Sequence, residues 1–354
     1  MHEEWVDRWK GLLIALVVLG HSVGVASHFA HGMTMELFDY LYKVIYCFHM
    51  PAFFCLMGYV WRVKEDEGFG IFCRKKFMRL IVPYLFFAVW GTIIYYAASG
   101  AFRGAVQGAA DAYYANMDAA PTIPGMLLSI VHAGGWPSNG VFRANSVLWF
   151  LPAMFAVCVI YRFVDAKIRS ARWQILLSCA FLVGSFYMPR NLPWGLSKVL
   201  YYLPFVIVGR WILPKLMSKC LMGSGLGVLI GCIYFFVCWI TPDSNRLNTH
   251  LTWRIGFFMI AVMGSVFSAA VVKNINNVTL AHFGCMSMGI MLIHKYIILA
   301  LGMKIQFVRS LYSNVLPVAF LVVVVVSVCS LLVSCWMSKL IERYYPEILG
   351  GRRK

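Results

Sequence analysis

Lys10 and His21 stand eleven positions apart in WKGLLIALVVLGHS, a stretch otherwise almost devoid of polar side chains. On a helix, eleven steps of about 100° close three turns to within about 20°, so both groups fall on one face, about 16 Å apart. Such a face offers a cation to an anionic group at one end and a proton acceptor at the other. If the helix crosses a bilayer, Lys10 lies near one surface and His21 near mid-depth. An ionisable group at that depth is costly and marks a functional site by default. The competing reading is a buried histidine bonded to a neighbouring helix.

Three further stretches carry comparable groups. In CFHMPAFFCLMGY, His49 and Pro51 sit inside an apolar run, with Gly58 and Tyr59 near its end. A mid-span proline frees a carbonyl and kinks the helix, which opens space at that depth. His49 from this helix and His21 from the one before can then face each other, or His49 can simply satisfy the freed backbone. In RKKFMRLIVPY, Arg74, Lys75, Lys76 and Arg79 precede an apolar run. That density of donors suits a phosphorylated ligand and equally suits membrane anchoring. Intramembrane polarity recurs at Asn145 and Trp149 around LWFLP and at His294, Lys295 and Tyr296 in CMSMGIMLIHKY. Lys295 needs a partner, a cavity or an interface, and by depth the nearest candidate acids are Glu36 and Asp39. Asp7 and Lys10, three apart, read as a surface pair.

The elements that must position these groups follow from composition. With 61% hydrophobic residues, 13% charged residues and a mean hydropathy of +0.75, the chain is too apolar for a soluble globule. It is an all-α, polytopic membrane bundle, read as one domain over 1–354. Apolar runs fall at about 11–30, 37–61, 77–98, 145–164, 173–189, 195–214, 221–241, 252–272, 281–302 and 315–338, predicting ten transmembrane helices. With the N-terminus cytoplasmic, 21 of the 31 Lys and Arg residues fall on inner segments and eight on outer ones, which predicts both termini inside. The acidic tip and the lack of a cleavage site predict an uncleaved signal anchor. The longest connection, about 99–144, is predicted external, and residues 339–354 form a short basic cytoplasmic tail. The net charge of +17 is read as topology and attraction to anionic lipid, not as nucleic-acid binding. The eleven cysteines lack a C-x-x-C pair and read as packing residues, with no metal site expected.

Taken together, the motifs resemble the acyltransferase family 3 integral membrane enzymes, which O-acylate carbohydrates. Lys10 and His21 are similar to its [Arg or Lys]-x10-His element. The segment from His49 to Tyr59 matches its His-Met-Pro-x-Phe-Phe helix ending in Gly-Tyr. Lys76, Arg79, Pro83 and Tyr84 match its basic loop before Pro-Tyr, and Leu148 to Leu151 its Leu-Trp-Phe-Leu element. Ile293 to Tyr296 and the closing ERYYP at 342–346 are similar as well. Lysine stands at positions 10 and 76 where arginine is commoner, which keeps the charge and loses the bidentate fork.

The resemblance implies transfer of an acetyl or similar short acyl group from cytoplasmic acyl-coenzyme A, with acetyl-CoA the expected donor. The expected acceptor is a hydroxyl of a cell-surface or lipid-linked glycan, and the expected location is the cell membrane. Lys10, Arg74, Lys75, Lys76 and Arg79 would hold the donor phosphates, and His21 with His49 would be catalytic. Direct transfer with His21 as base and a two-step route through an acylated side chain both stand open. The rival from another class is a transporter or flippase whose intramembrane His and Lys relay protons or bind a headgroup.

Overall fold

A computed structural model of the chain describes residues 3–63, 67–114, 130–131, 146–189, 192–193, 196–218, 225–241, 250–313 and 315–351, of which 92, 94–114, 146, 197, 225–226 and 303–304 are described by backbone alone. Among the described residues every regular element is helical. In chain order these are α1 (Glu4–Ser27), α2 (Gly32–Tyr59), α3 (Phe69–Tyr114), α4 (Phe150–Lys167), α5 (Ala171–Tyr187), α6 (Leu196–Ile207), α7 (Leu213–Ser218), α8 (Gly225–Ile240), α9 (Leu251–Lys273), α10 (Val278–Cys285), α11 (Ser287–Ile298), α12 (Gln306–Tyr312) and α13 (Leu316–Tyr344). A π-helical turn, Val208–Ile212, joins α6 to α7. Another, Leu299–Lys304, follows α11.

Helix lies across each of the ten apolar runs. Among the described residues six spans are long and apolar enough to cross a membrane, and up to seven if the bent α10–α11 pair is counted as one. The protein is therefore multi-pass. α5 and α8 are shorter, at 17 and 16 residues. The residues between α5 and α6 lie partly outside the described set, but α5 and α6 pack side by side as separate helices.

Two expectations are corrected. Residues 99–114, expected to begin an external loop, instead continue α3, which runs for 46 residues. The segment FRGAVQGAADAYY is rich in alanine, the strongest helix former, so helix propagates past the apolar run. The remainder of that loop, apart from Ile130 and Val131, lies outside the described residues. The run expected at 281–302 is likewise not one helix: it is broken at Met286, where α10 and α11 meet at 85°. Asn277 caps α10 by accepting from the Leu280 amide, and Met286 leaves the helical backbone basin at φ −88°, ψ 5°. α10 and α11 thus both pack on α1 while running in directions 85° apart, a geometry characteristic of membrane sites built on interrupted helices.

α1 forms the centre, packed against α2, α9, α10, α11 and α13. Its contact with α10 is backbone to backbone. A methyl on Gly11 would collide with the Leu280 carbonyl, and one on Gly284 with the carbonyl of Asp7. Between lipid-embedded helices, where apolar burial gives little drive, such small-residue contacts supply the packing. Gly58 of α2 and Gly209 of the π-helical turn make the equivalent approach, each facing a carbonyl of the other strand of helix. α2 is in turn flanked by α6 and α9. The C-terminal turn Pro346–Leu349 folds back onto α3 and α13. Gly350, at φ +71°, brings the tail against the Arg79 backbone.

Candidate functional site

The packing of α1, α2 and α11 brings four of the sequence candidates together at mid-bundle. His21 of α1 shares a hydrogen bond of 2.8 Å between its Nδ1 and the Tyr46 hydroxyl of α2. One helical turn along α2, His49 sits with its ring 4.8 Å from that of Tyr46. From α11, the His294 ring lies 5.4 Å from His21 and is tilted by 36° to it. Lys295 and His49 are both within electrostatic range of His21. His49, His294 and Lys295 are 3%, 0% and 4% exposed, whereas His21 and Tyr46 retain partial exposure within the same cluster. His21 and Tyr46 are thus the members of the cluster that the packing leaves partly accessible.

Backbone carbonyls hold two of these imidazoles. His49 Nδ1 lies 2.8 Å from the Ile45 carbonyl and His294 Nδ1 lies 2.8 Å from that of Ile290, each four residues earlier on its own helix. A carbonyl only accepts, so both histidines carry their proton on Nδ1 and present Nε2 as a lone pair. The carbonyl that Pro51 leaves free is that of Cys47, four residues before it. His49 bonds Ile45 instead, so satisfying the proline-freed backbone does not account for it. The outer face of α11 is tied by the Ser330 hydroxyl of α13, which donates to the His294 carbonyl at 2.9 Å. Tyr296 donates to the Phe87 carbonyl of α3 at 3.3 Å.

Tyr46 escaped the sequence reading. The signal was present: Tyr42, Tyr46 and His49 are spaced i, i+4, i+7 and share a face of α2, and Tyr42 stacks on Tyr46 with ring centroids 3.8 Å apart. Aromatic residues in an apolar helix read first as packing, which hid it.

The cations predicted to hold an anionic ligand divide by environment. Lys10 pairs with Asp7 at 2.9 Å, and Asp7 is only 8% exposed, so this is a half-buried pair and not the surface pair expected. Lys75 pairs with Glu67 at 2.6 Å, while Arg74 is exposed. Lys76 lies over the Phe72 ring at 5.4 Å. Lys76 and Arg79 come within electrostatic range of Cys158 on α4, which is buried against Met57 of α2 with a sulfur–sulfur distance of 3.2 Å. Lys76 is half-buried and Arg79 exposed, and their i, i+3 spacing sets them on one side of α3. The start of α11 and the tail link this group to Lys10. Cys285 is within electrostatic range of Lys10, Gly289 faces Leu349, and Gly350 meets Arg79. Three arginines the sequence reading passed over cluster on the α2–α3 connection. Arg62 and Arg210 donate to the Trp61 carbonyl at 3.0 and 2.7 Å, and Arg162 to the Glu67 carbonyl at 3.3 Å.

The remaining candidates fall elsewhere. Asp39 accepts a hydrogen bond from Ser27 and lies beside His28, at the end of α1 away from Lys10, and Glu36 is exposed nearby. Trp149 carries the Lys198 ammonium 3.9 Å above its ring and stacks at 5.9 Å on Tyr202, which stacks at 4.3 Å on Phe54 of α2. Asn145 lies outside the described residues. Among the described residues no three His, Cys, Asp or Glu side chains come together as a metal-binding group.

A multi-pass helical bundle with a buried imidazole cluster at its centre places ionisable groups at a depth where they mark a functional site. The acyltransferase domain model matches residues 3–337, and the chain belongs to the acyltransferase 3 family. It is similar to the nodulation protein NolL of Mesorhizobium japonicum, at 33% identity over 94 residues, covering 25% of this chain and 23% of that protein. It is also similar to the inner membrane protein YcfT of Escherichia coli K12, at 27% identity over 229 residues, covering 61% of this chain and 58% of that one. The matches thus span less than two thirds of either relative. No solved structure matches the chain.

Proposed function

We propose that this protein is an integral membrane O-acyltransferase that moves an acetyl or similar short acyl group from cytoplasmic acyl-coenzyme A to a hydroxyl of a cell-surface or lipid-linked glycan. In this reading it sits in the cell membrane with ten spans and both termini cytoplasmic. The observation that carries the reading is the hydrogen bond between His21 and Tyr46, at the partly open centre of a buried imidazole cluster. A base held by a second side chain is the arrangement that general-base catalysis requires.

The chemistry follows from that bond. His21 donates its Nδ1 proton to the Tyr46 oxygen, leaving Nε2 as the lone pair. Nε2 takes the proton of the acceptor hydroxyl as the oxygen attacks the thioester carbonyl. The new O–C bond forms, the C–S bond breaks, and the departing thiolate takes the proton back from the His21 imidazolium. Lys295, inside the same cluster, supplies a positive field for the oxyanion that develops in between. Lys10, Lys76 and Arg79 hold the donor phosphates at the inner end, with the pantetheine arm following α1 inward. That distance, about 16 Å along the helix, suits an extended chain.

Two measurements test the proposal. Purified protein should bind a non-hydrolysable acetyl-CoA analogue saturably, and absence of binding overturns the donor assignment. Mass analysis of surface glycans from cells with and without the protein should reveal an acyl increment that vanishes in His21→Ala at unchanged expression. An increment that persists in His21→Ala removes His21 from the mechanism.

A further inference from the structure

His294 is held in a way that the transfer step alone does not use. Its side chain is fully buried, its Nδ1 proton is committed to the Ile290 carbonyl at 2.8 Å, and its Nε2 is enclosed without a hydrogen-bond partner. An enclosed lone pair with no donor costs about 1–3 kcal/mol. The atom sits on a ring 5.4 Å from that of the proposed base. Whatever occupies the space beside His21 during reaction is therefore adjacent to an unfilled acceptor that only an O–H or N–H group can satisfy.

The donor side of the reaction offers one only on the leaving side, the pantetheine amide N–H two carbons beyond the sulfur. A thioester carbonyl and its sulfur carry no hydrogen-bond donor, and a short alkyl acyl chain adds none. The reacting hydroxyl has one proton, and that proton goes to His21. On the attacking side the group that can meet His294 is a second donor on the acceptor, whereas a bond to the pantetheine amide would make donor binding depend on His294.

We infer that His294 Nε2 accepts a hydrogen bond from a second O–H or N–H of the acceptor, on the atom next to the one acylated. The substrate class is thereby narrowed to a vicinal diol or amido-alcohol unit. His21 takes the proton that leaves, and His294 holds the neighbouring proton that stays, so the two imidazoles select one hydroxyl from several. The inference rests on the acyltransferase reading above and specifies its acceptor.

The test uses full-length protein in cells whose surface glycans are acylated. It compares wild type with His21→Ala, His294→Ala and His294→Gln, the last able to present an amide oxygen near the Nε2 position. The readouts are acyl content by mass, position of the acyl group by NMR of the released glycan, and binding of the non-hydrolysable acetyl-CoA analogue to each purified variant. Expected are acylation in wild type on a carbon flanked by a free hydroxyl or amide N–H and a loss of at least about tenfold in His294→Ala. Any residual product should be spread over several positions, donor binding should stay within about twofold, and His294→Gln should recover part of the rate. A wild-type product whose acyl carbon has no such neighbour overturns the inference. So does a His294→Ala variant that binds donor and retains both rate and position, as it would if water filled the space. Either result leaves the His21 reading intact. Full activity in His21→Ala overturns that reading and this inference with it.

Discussion

Removing the Tyr46 phenol oxygen separates two roles that His21 combines, being present and being oriented. In Tyr46→Phe the ring still stacks on Tyr42, but nothing holds the His21 Nδ1 proton, and the imidazole is free to swap tautomer. We expect kcat to fall about tenfold or more with the donor KM unchanged, measured by acyl transfer at saturating donor. The cations are expected to behave the opposite way. Lys76→Ala and Arg79→Ala should each raise the donor KM by about tenfold or more, since each removes a charge-assisted contact. Lys10→Ala should raise KM and also lower the Tm of the detergent-solubilised protein, because it leaves Asp7 buried without its cation. At this scale the sequence was generous: His21, His49, Lys10 and His294 are conspicuous because they interrupt apolar runs. It was silent on Tyr46, and on which of the four adjacent cations is half-buried, since that depends on the rotation of α3 against α4 and not on its own residues.

At the scale of the elements, the contact that matters most is the crossing of α1 and α10. The interrupted α10–α11 pair is held onto α1 by glycines 11 and 284, and α11 carries His294 into the cluster. Gly284→Leu would push α10 away from Asp7 and should cost about 1–3 kcal/mol, read as a lower Tm together with loss of transfer activity. Gly256→Ala on α9 is the contrasting case. A methyl there meets open space, and alanine is the better helix former, so the Tm should hold or rise. That the chain is all-helical and multi-pass was legible from hydropathy alone, although among the described residues only six or seven spans are long and apolar enough to cross a membrane. The break at Met286 was not, because a run of apolar residues looks the same whether it is straight or bent by 85°. The extension of α3 to Tyr114 was missed for a related reason: apolarity marks where a helix meets lipid, not where it ends.

Across the whole molecule, the cluster is assembled from the two ends of the chain. His21, Tyr46 and His49 belong to the first two helices and His294 to the eleventh, with the intervening helices forming the surrounding wall. A chain divided between Ser218 and Gly225, at the α7–α8 connection, should therefore give two fragments that are inactive alone. Co-expressed, they should restore glycan acylation to the extent that α1 and α10 find each other. Failure to recover activity when both fragments insert and co-purify would show that continuity of the chain is itself required.

That wide separation along the chain has a consequence for the cell during synthesis. The Lys10 end of α1 and the imidazole that helix carries emerge from the ribosome early, yet the groups that complete the cluster follow only after most of the protein is in the membrane. A partly made or truncated chain can display the Lys10 end of α1 but lacks the α11 groups, so its imidazole cluster is incomplete. Acyl transfer is thereby timed to the end of membrane insertion.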